Sequence, residues 1–161
     1  MLKHDCRNHI VRKVATVDHP FLMTWSGLPN VYISGIRYEA CQECGKVAGM
    51  FPAVAKLYEA LVKVVAIKPS ALSGEEIRFL RISVRKKAMD FAKVMGVSPE
   101  QVSRWEHGHN QPEKAADKLI RVLACKDAVD SVMNLDSQCS KSGSYLMRFS
   151  KAKEWLGEFV A

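Results

Sequence analysis

The run Val97-Ser98-Pro99-Glu100-Gln101-Val102-Ser103-Arg104-Trp105-Glu106-His107-Gly108 constrains the fold more than any other part of this 161-residue chain. It carries a start and a stop signal for a very short helix. Ser98 supplies the side-chain oxygen of an N-cap, and Pro99 takes the first helical position, where its missing N–H costs nothing. Gln101 stands where it completes a capping box, and Val97 and Val102 flank the cap as a hydrophobic staple. Gly108 provides the left-handed stop. So short a helix is marginal alone in water, so signals this complete imply a helix held at a fixed angle by its neighbours. Val102 and Trp105 are expected to face the core, leaving Pro99, Glu100, Gln101, Ser103 and Arg104 outside.

Short helices are expected on both sides of it. Ser73 and Glu76 form another capping box, with Leu72 and Ile77 as its staple. A second helix should carry Ala88, Phe91, Ala92 and Met95 inward and stop at Gly96. A further one starts at Pro112 and buries Ala116, Leu119, Ile120 and Leu123. Four or five short helices with Gly96 between the second and third make a helix-turn-helix layout.

Upstream, the chain reads as β structure. Residues 31–38 are rich in β-branched and aromatic types, with Gly35 a bulge. The turn formers of residues 26–30 precede them, residues 21–25 are a further apolar run, and residues 10–17 another strand, together giving a small antiparallel sheet. A helix follows Pro52, with Val54, Leu57, Tyr58, Leu61 and Val65 as its apolar stripe, and ends near Lys68 because Pro69 disfavours helix before it. Pro69-Ser70-Ala71 is expected to be a linker, and residues 136–144 a second one. Beyond it, residues 145–149 read as a strand, and Ala152, Trp155, Leu156 and Phe159 as the face of a terminal helix. The expected fold class is α+β. A small zinc-stabilised antiparallel β domain with a helix occupies 1–68, an all-α domain 72–126, and a C-terminal extension 127–161.

The chain has a net charge of +7 and a pI near 9.2. That balance favours nucleic acid or another polyanion as partner. No apolar run approaches the ~18 residues of a membrane span, so no membrane association is expected. Met1-Leu2-Lys3-His4-Asp5-Cys6 lacks the apolar core of a signal peptide. Five cysteines cannot all pair within the chain. These features point to a reducing, cytoplasmic setting, where cysteines serve as ligands or buried thiols.

Cys41-Gln42-Glu43-Cys44-Gly45 is a Cys-x2-Cys knuckle, and Cys6-Arg7-Asn8-His9 is a second pair with the same spacing. A tight turn lets two side chains so spaced converge on one ion, and two such pairs suit tetrahedral Zn²⁺. The expected cofactor is a structural zinc on Cys6, His9, Cys41 and Cys44, with His4 an alternative fourth ligand; unmetallated thiols are the plainer reading. A thioredoxin-like role would need a βαβ pattern, which is missing. A catalytic zinc would need an open position and more than the adjacent Glu43. No enzymatic activity is expected. Cys125 and Cys139 have no partner at ligand spacing and read as a core thiol and a linker residue.

On the outer side of the opening helix, Arg104 can read guanine bidentately or clamp a phosphate, Glu100 can accept from cytosine, and Gln101 can bond adenine if the cap leaves it free. Arg85, Lys86 and Lys87 lie at the start of the helix before it, where that helix would meet phosphates through its charges and N-terminal N–H groups. His107, His109 and Asn110 are further backbone contacts or plain turn residues.

Residues 75–81, Glu-Glu-Ile-Arg-Phe-Leu-Arg, followed by residues 91–108, resemble the Xre/Cro-type helix-turn-helix. Upstream, Cys6/His9 and Cys41/Cys44 around Ser26-Gly27-Leu28-Pro29-Asn30-Val31-Tyr32 resemble the zinc-binding half of the MqsA (YgiT-type) antitoxin family, with the halves in the same order. The likeness covers about residues 4 to 124. It implies a bacterial transcriptional regulator, an autoregulating repressor. Its zinc-holding N-terminal domain is joined to a homodimerising helix-turn-helix domain that binds a palindromic double-stranded DNA operator. In some members the N-terminal half also holds a toxin protein, often an mRNA-cleaving ribonuclease. The matching DNA-contact positions are Glu100, Ser103 and Arg104. Three departures stand out: His9 where the family has cysteine, Lys87 and Ala88 where it has Ser or Thr followed by Gln, and the longer tail of residues 127–161. With the phosphate-contacting glutamine missing, a toxin-sequestering interaction module with weak or lost DNA binding is the alternative.

Overall fold

The computed structural model describes residues 10–48, 51–135, 143–150 and 152–161. Strand pairing starts at the first of them. β1 (Ile10–Ala15) runs antiparallel to β4 (Ile36–Cys41), which pairs with the short β5 (Val47–Ala48). A second sheet has the order β2 (Phe21–Leu22), β3 (Val31–Ser34), β6 (Ser144–Phe149), β7 (Trp155–Val160). Gly35 lies between β3 and β4 at φ +79° rather than in a bulge within one strand. The chain changes sheets there, and the Gly35 N–H donates to the Ala15 carbonyl at 2.8 Å. A side chain at this position would collide with the Phe149 carbonyl, so only glycine fits.

The helices are α1 (Val54–Ile67), α2 (Gly74–Ser83), α3 (Ala88–Met95), α4 (Pro99–Glu106), α5 (Lys114–Ala124) and α6 (Val129–Met133), with a 3-10 turn at Lys126–Ala128. The described residues are thus mixed α+β, with six helices and two sheets. None of the helices is long and apolar enough to cross a membrane. One continuous apolar cluster runs from Ile33, Tyr145 and Met147 of the sheet, through Leu57, Leu61 and Val65 of α1, to Ile77, Leu80, Phe91, Val102 and Ile120.

Several sequence expectations are corrected. Trp155, Leu156 and Phe159 lie in a strand, not a terminal helix. Gly157 weakens helix in that stretch, and residues 144–149 offer a pairing partner, with Phe149 opposite Trp155 and Tyr145 opposite Phe159. Both aromatic pairs are in contact, at centroid separations of 5.0 and 5.3 Å, within the range where such cross-strand pairs stabilise a sheet. The N-terminal strands pair antiparallel as expected, β1 with β4 and β2 with β3, but they do so in two sheets, and β6 of the expected C-terminal extension joins β3 in parallel. The run 21–25 is a strand only to Leu22. The Ser26 hydroxyl accepts the Leu28 N–H at 3.1 Å and bends the chain into a turn. Val54 and Leu119 stay exposed on their helices, because the faces of α1 and α5 that meet the core are centred elsewhere. The expected second linker lies, for residues 136–142, outside the described residues.

Pro69-Ser70-Ala71 is not a free linker. Arg121, fully buried on α5, donates to the carbonyls of Ala66 (3.0 Å), Lys68 (2.8 Å) and Ser70 (2.6 Å). Its Nε bonds Asp117 at 2.6 Å, and the second Asp117 oxygen accepts the Leu72 N–H at 3.1 Å. Beside this cluster, Glu76 of α2 gathers Lys68 Nζ at 2.7 Å, the Ser73 N–H at 2.6 Å and the Tyr145 hydroxyl of β6. Burial, and then the Glu76 charge, push the Tyr145 phenol above its usual range, so it remains a proton donor. Buried polar networks of this kind fix one arrangement of the elements they join.

Candidate nucleic-acid interface

Helix α4 is built by its own termini. The Ser98 hydroxyl accepts the Gln101 N–H at 3.2 Å, with Pro99 in the first turn. The expected capping box is only half formed, since the Gln101 side chain makes no return bond, whereas Ser73 and Glu76 bond reciprocally at the start of α2. Glu100 lies in the same first turn. A hydrogen bond to its own backbone N–H, then the Ser98 hydroxyl and nearby Arg104, hold its carboxyl below the usual range. An ionised carboxylate is favoured at a helix N-terminus. At the other end Gly108 adopts φ +70°, its N–H donates to Trp105 O at 3.0 Å and the His109 N–H to Arg104 O at 2.9 Å. These two bonds make a Schellman stop. Gly96 closes α3 in the same way, with the Val97 N–H on Ala92 O at 3.0 Å.

Its neighbours then fix the direction of α4. Val102 and Trp105 are buried. Gly74 opens α2 so close to the end of α4 that a Cβ there would lie 2.5 Å from the Glu106 carbonyl oxygen. Arg81 of α2 forks onto Glu106, Nε to Oε1 at 2.5 Å and Nη2 to Oε2 at 3.1 Å. Its remaining Nη1 donates to the Lys86 carbonyl at 2.8 Å. One guanidinium therefore ties α2, the end of α4 and the basic segment ahead of α3. Arg81 and Glu106 were not singled out by sequence, because residues so far apart in the chain give no local cue to their pairing.

The face of α4 that remains outside presents Glu100, Ser103 and Arg104, all exposed, with Gln101 half-buried. Arg85 and Lys87 are exposed and Lys86 half-buried in the segment leading into α3, which packs directly on α4. Lys87 precedes α3 without a side-chain cap, so the first N–H groups of that helix have no side-chain acceptor. His107 turns back on its own helix, Nδ1 2.8 Å from the Ser103 carbonyl.

The knuckle is a tight turn. The Gly45 N–H donates to Cys41 O at 3.0 Å, the Cys41 N–H to Lys46 O at 2.9 Å, and Gly45 sits at φ +67°. Cys41 is buried and Cys44 exposed. Cys6, His9 and His4 lie outside the described residues, as does Cys139. Ile10, the next residue after His9, pairs with Cys41. Among the described residues no group of three or more His, Cys, Asp or Glu side chains is placed to hold a metal. Cys125 is half-buried at the end of α5.

No protein-family model, curated protein or solved structure matches the chain.

One further feature escaped sequence reading. A cleft of about 1450 Å³ opens between the 25–27 turn, α1, α2 and the end of α4, walled by Trp25, Tyr58, Arg78, Phe79, Ile82 and Cys125. Its walls come from separated segments, so no contiguous motif announces it.

Proposed function

We propose that the chain is a sequence-specific DNA-binding transcriptional regulator, an autoregulating antitoxin-like repressor that reads a palindromic operator with α4 as a helix-turn-helix homodimer. The observation that carries this reading is the fixing of α4. A helix of eight residues is capped at both ends, locked to α2 by a forked ion pair, and left with one polar face outside. Arg104 is the group that would reach guanine; Ser103 can bond a base edge or a phosphate. Glu100, ionised and engaged with its own helix start, would favour a cytosine amine and repel a misplaced phosphate. Arg85, Lys86, Lys87 and the uncapped N–H groups of α3 would hold phosphates, replacing the glutamine that the resembled family carries there.

A structural Zn²⁺ belongs to the same proposal. The knuckle turn around Cys41 and Cys44, and a β1 register that brings the chain in opposite Cys41, fit a site completed by Cys6 and by His9 or His4. Bound there, the ion would cross-link the N-terminal segment to β4 and do no chemistry. The proposal expects close to one zinc per purified chain; a content near zero would remove this part.

The DNA reading is tested by selecting duplexes from a random-sequence pool on the full chain. Enrichment of a two-fold symmetric sequence with half-sites about one helical turn apart is the expected result. The toxin-sequestering reading has the cleft in its favour, since its aromatic wall could take a protein segment. An unenriched pool, with binding that does not weaken as salt rises, would favour it over DNA recognition.

A further inference from the structure

The sheet edges are not treated alike. β2 and β5 end their sheets as strands of two residues each, and β1, the remaining edge of the first sheet, carries exposed Arg12 and Lys13. Short strands and edge cations are the usual means of keeping one sheet from adding to another. β7 has neither. It is six residues long, Trp-Leu-Gly-Glu-Phe-Val, without proline or a cation, and among the described residues it pairs only with β6. Its outer face continues the exposure. Leu156 and Val160 are 49% and 51% exposed, and Leu22 at the far side of the same sheet is 40% exposed. The inner face, with Trp155 and Phe159, is turned to α1 and the core.

We propose that β7 pairs antiparallel with β7 of a second copy, joining two four-stranded sheets into one across a two-fold axis at Gly157. Strand charge and the length of strand paired select the register, since centring on Trp155 or Phe159 leaves much of β7 (Trp155–Val160) unpaired. The side-chain period of two restricts self-pairing to registers that keep inner residues opposite inner ones. Centring on Leu156 sets Glu154 against the partner copy's Glu158, and centring on Glu158 sets the two Glu158 carboxylates against each other. Centring on Gly157 sets Leu156 opposite Glu158 and Trp155 opposite Phe159, twice by symmetry, with no like charges facing. Opposed like charges weaken a sheet and aromatic pairs strengthen it. The contact is isologous and uses the one edge among the described residues that is neither short nor cationic, so assembly closes at two. The dimer named in the proposed function thereby gains a contact. It is measured without DNA, so failure of the interface and failure of the DNA reading are separate results.

The test is sedimentation of the full chain and of two variants, Leu156→Lys and Leu156→Glu, over a concentration series. Leu156 is 49% exposed and stands opposite Arg148 of β6, so Lys there meets a like charge within the protomer and Glu an opposite one; circular dichroism first verifies that both variants keep the fold. The parent is expected to dimerise reversibly. Leu156→Lys faces Glu158 of the second copy and should tighten the dimer, while Leu156→Glu meets a like charge and should loosen it, a separation of roughly tenfold in Kd. A monomer at every concentration overturns the proposal. So does a dimer that both variants leave equally strong or weaken equally, or growth beyond two copies.

Discussion

Helix α4 and strand β7 differ in where their stabilising bonds come from. Every terminal bond of α4 is made within residues 98–109: the Ser98 cap, the Glu100 carboxylate at the first turn and the Gly108 stop. β7 has no such self-contained set. Its form comes from β6, from the aromatic pairs Phe149–Trp155 and Tyr145–Phe159, and from the Trp155 indole donating to the Pro52 carbonyl at 3.0 Å. A helix end is a local problem that four or five neighbouring side chains can solve. A strand is satisfied only by a partner that its own sequence does not identify.

The contrast can be broken at the buried cluster that joins α5 to the segment between α1 and α2. Asp117→Ala would leave the fully buried Arg121 without its carboxylate and free the Leu72 N–H. Removing one partner of a buried pair costs about 3–5 kcal/mol. Urea unfolding followed by tryptophan fluorescence should show that loss in a single transition covering hairpin and helices together. A loss under about 1 kcal/mol, or two separate transitions, would mean that the 69–71 segment does not couple them.

Tyr145→Phe acts on the hairpin side alone. It removes the hydroxyl that Glu76 accepts while leaving Lys68 and the Ser73 N–H in place, and should cost about 1–3 kcal/mol. The loss should appear in the same denaturation measurement, and a neutral result would show that β6 holds to α2 by apolar packing only. Ser98→Ala is the local counterpart and the smallest effect, about 1 kcal/mol. Hydrogen exchange should show it as faster opening of α4 amides with the β6–β7 amides unchanged. Equal acceleration in both regions would contradict a locally built α4.

These differences explain what was legible in the sequence. Ser73, Glu76, Gly96, Ser98 and Gly108 place the helices from 74 to 106 because capping is read over three or four residues. The outer face of α4 was legible for the same reason. The terminal helix was misread because Trp155, Leu156 and Phe159 satisfy helical spacing, while Gly157 has its reason in Val64 and Met147, which lie 2.7 and 2.6 Å from where its Cβ would be. The 69–71 segment looked like a linker because proline and serine often are. Nothing within it signals that Arg121, some fifty residues later, would bind its carbonyls. Gln101 fits the capping-box spacing yet makes no return bond, since spacing alone does not say where a side chain points.

The claim that matters most is that the exposed face of α4 reads bases. Fluorescence anisotropy with the selected duplex and with random-sequence duplex, for the full chain and for Arg104→Ala, tests it directly. The account predicts a loss of about 1–3 kcal/mol on the selected duplex and little change on random DNA. An equal loss on both, or none on either, would contradict it.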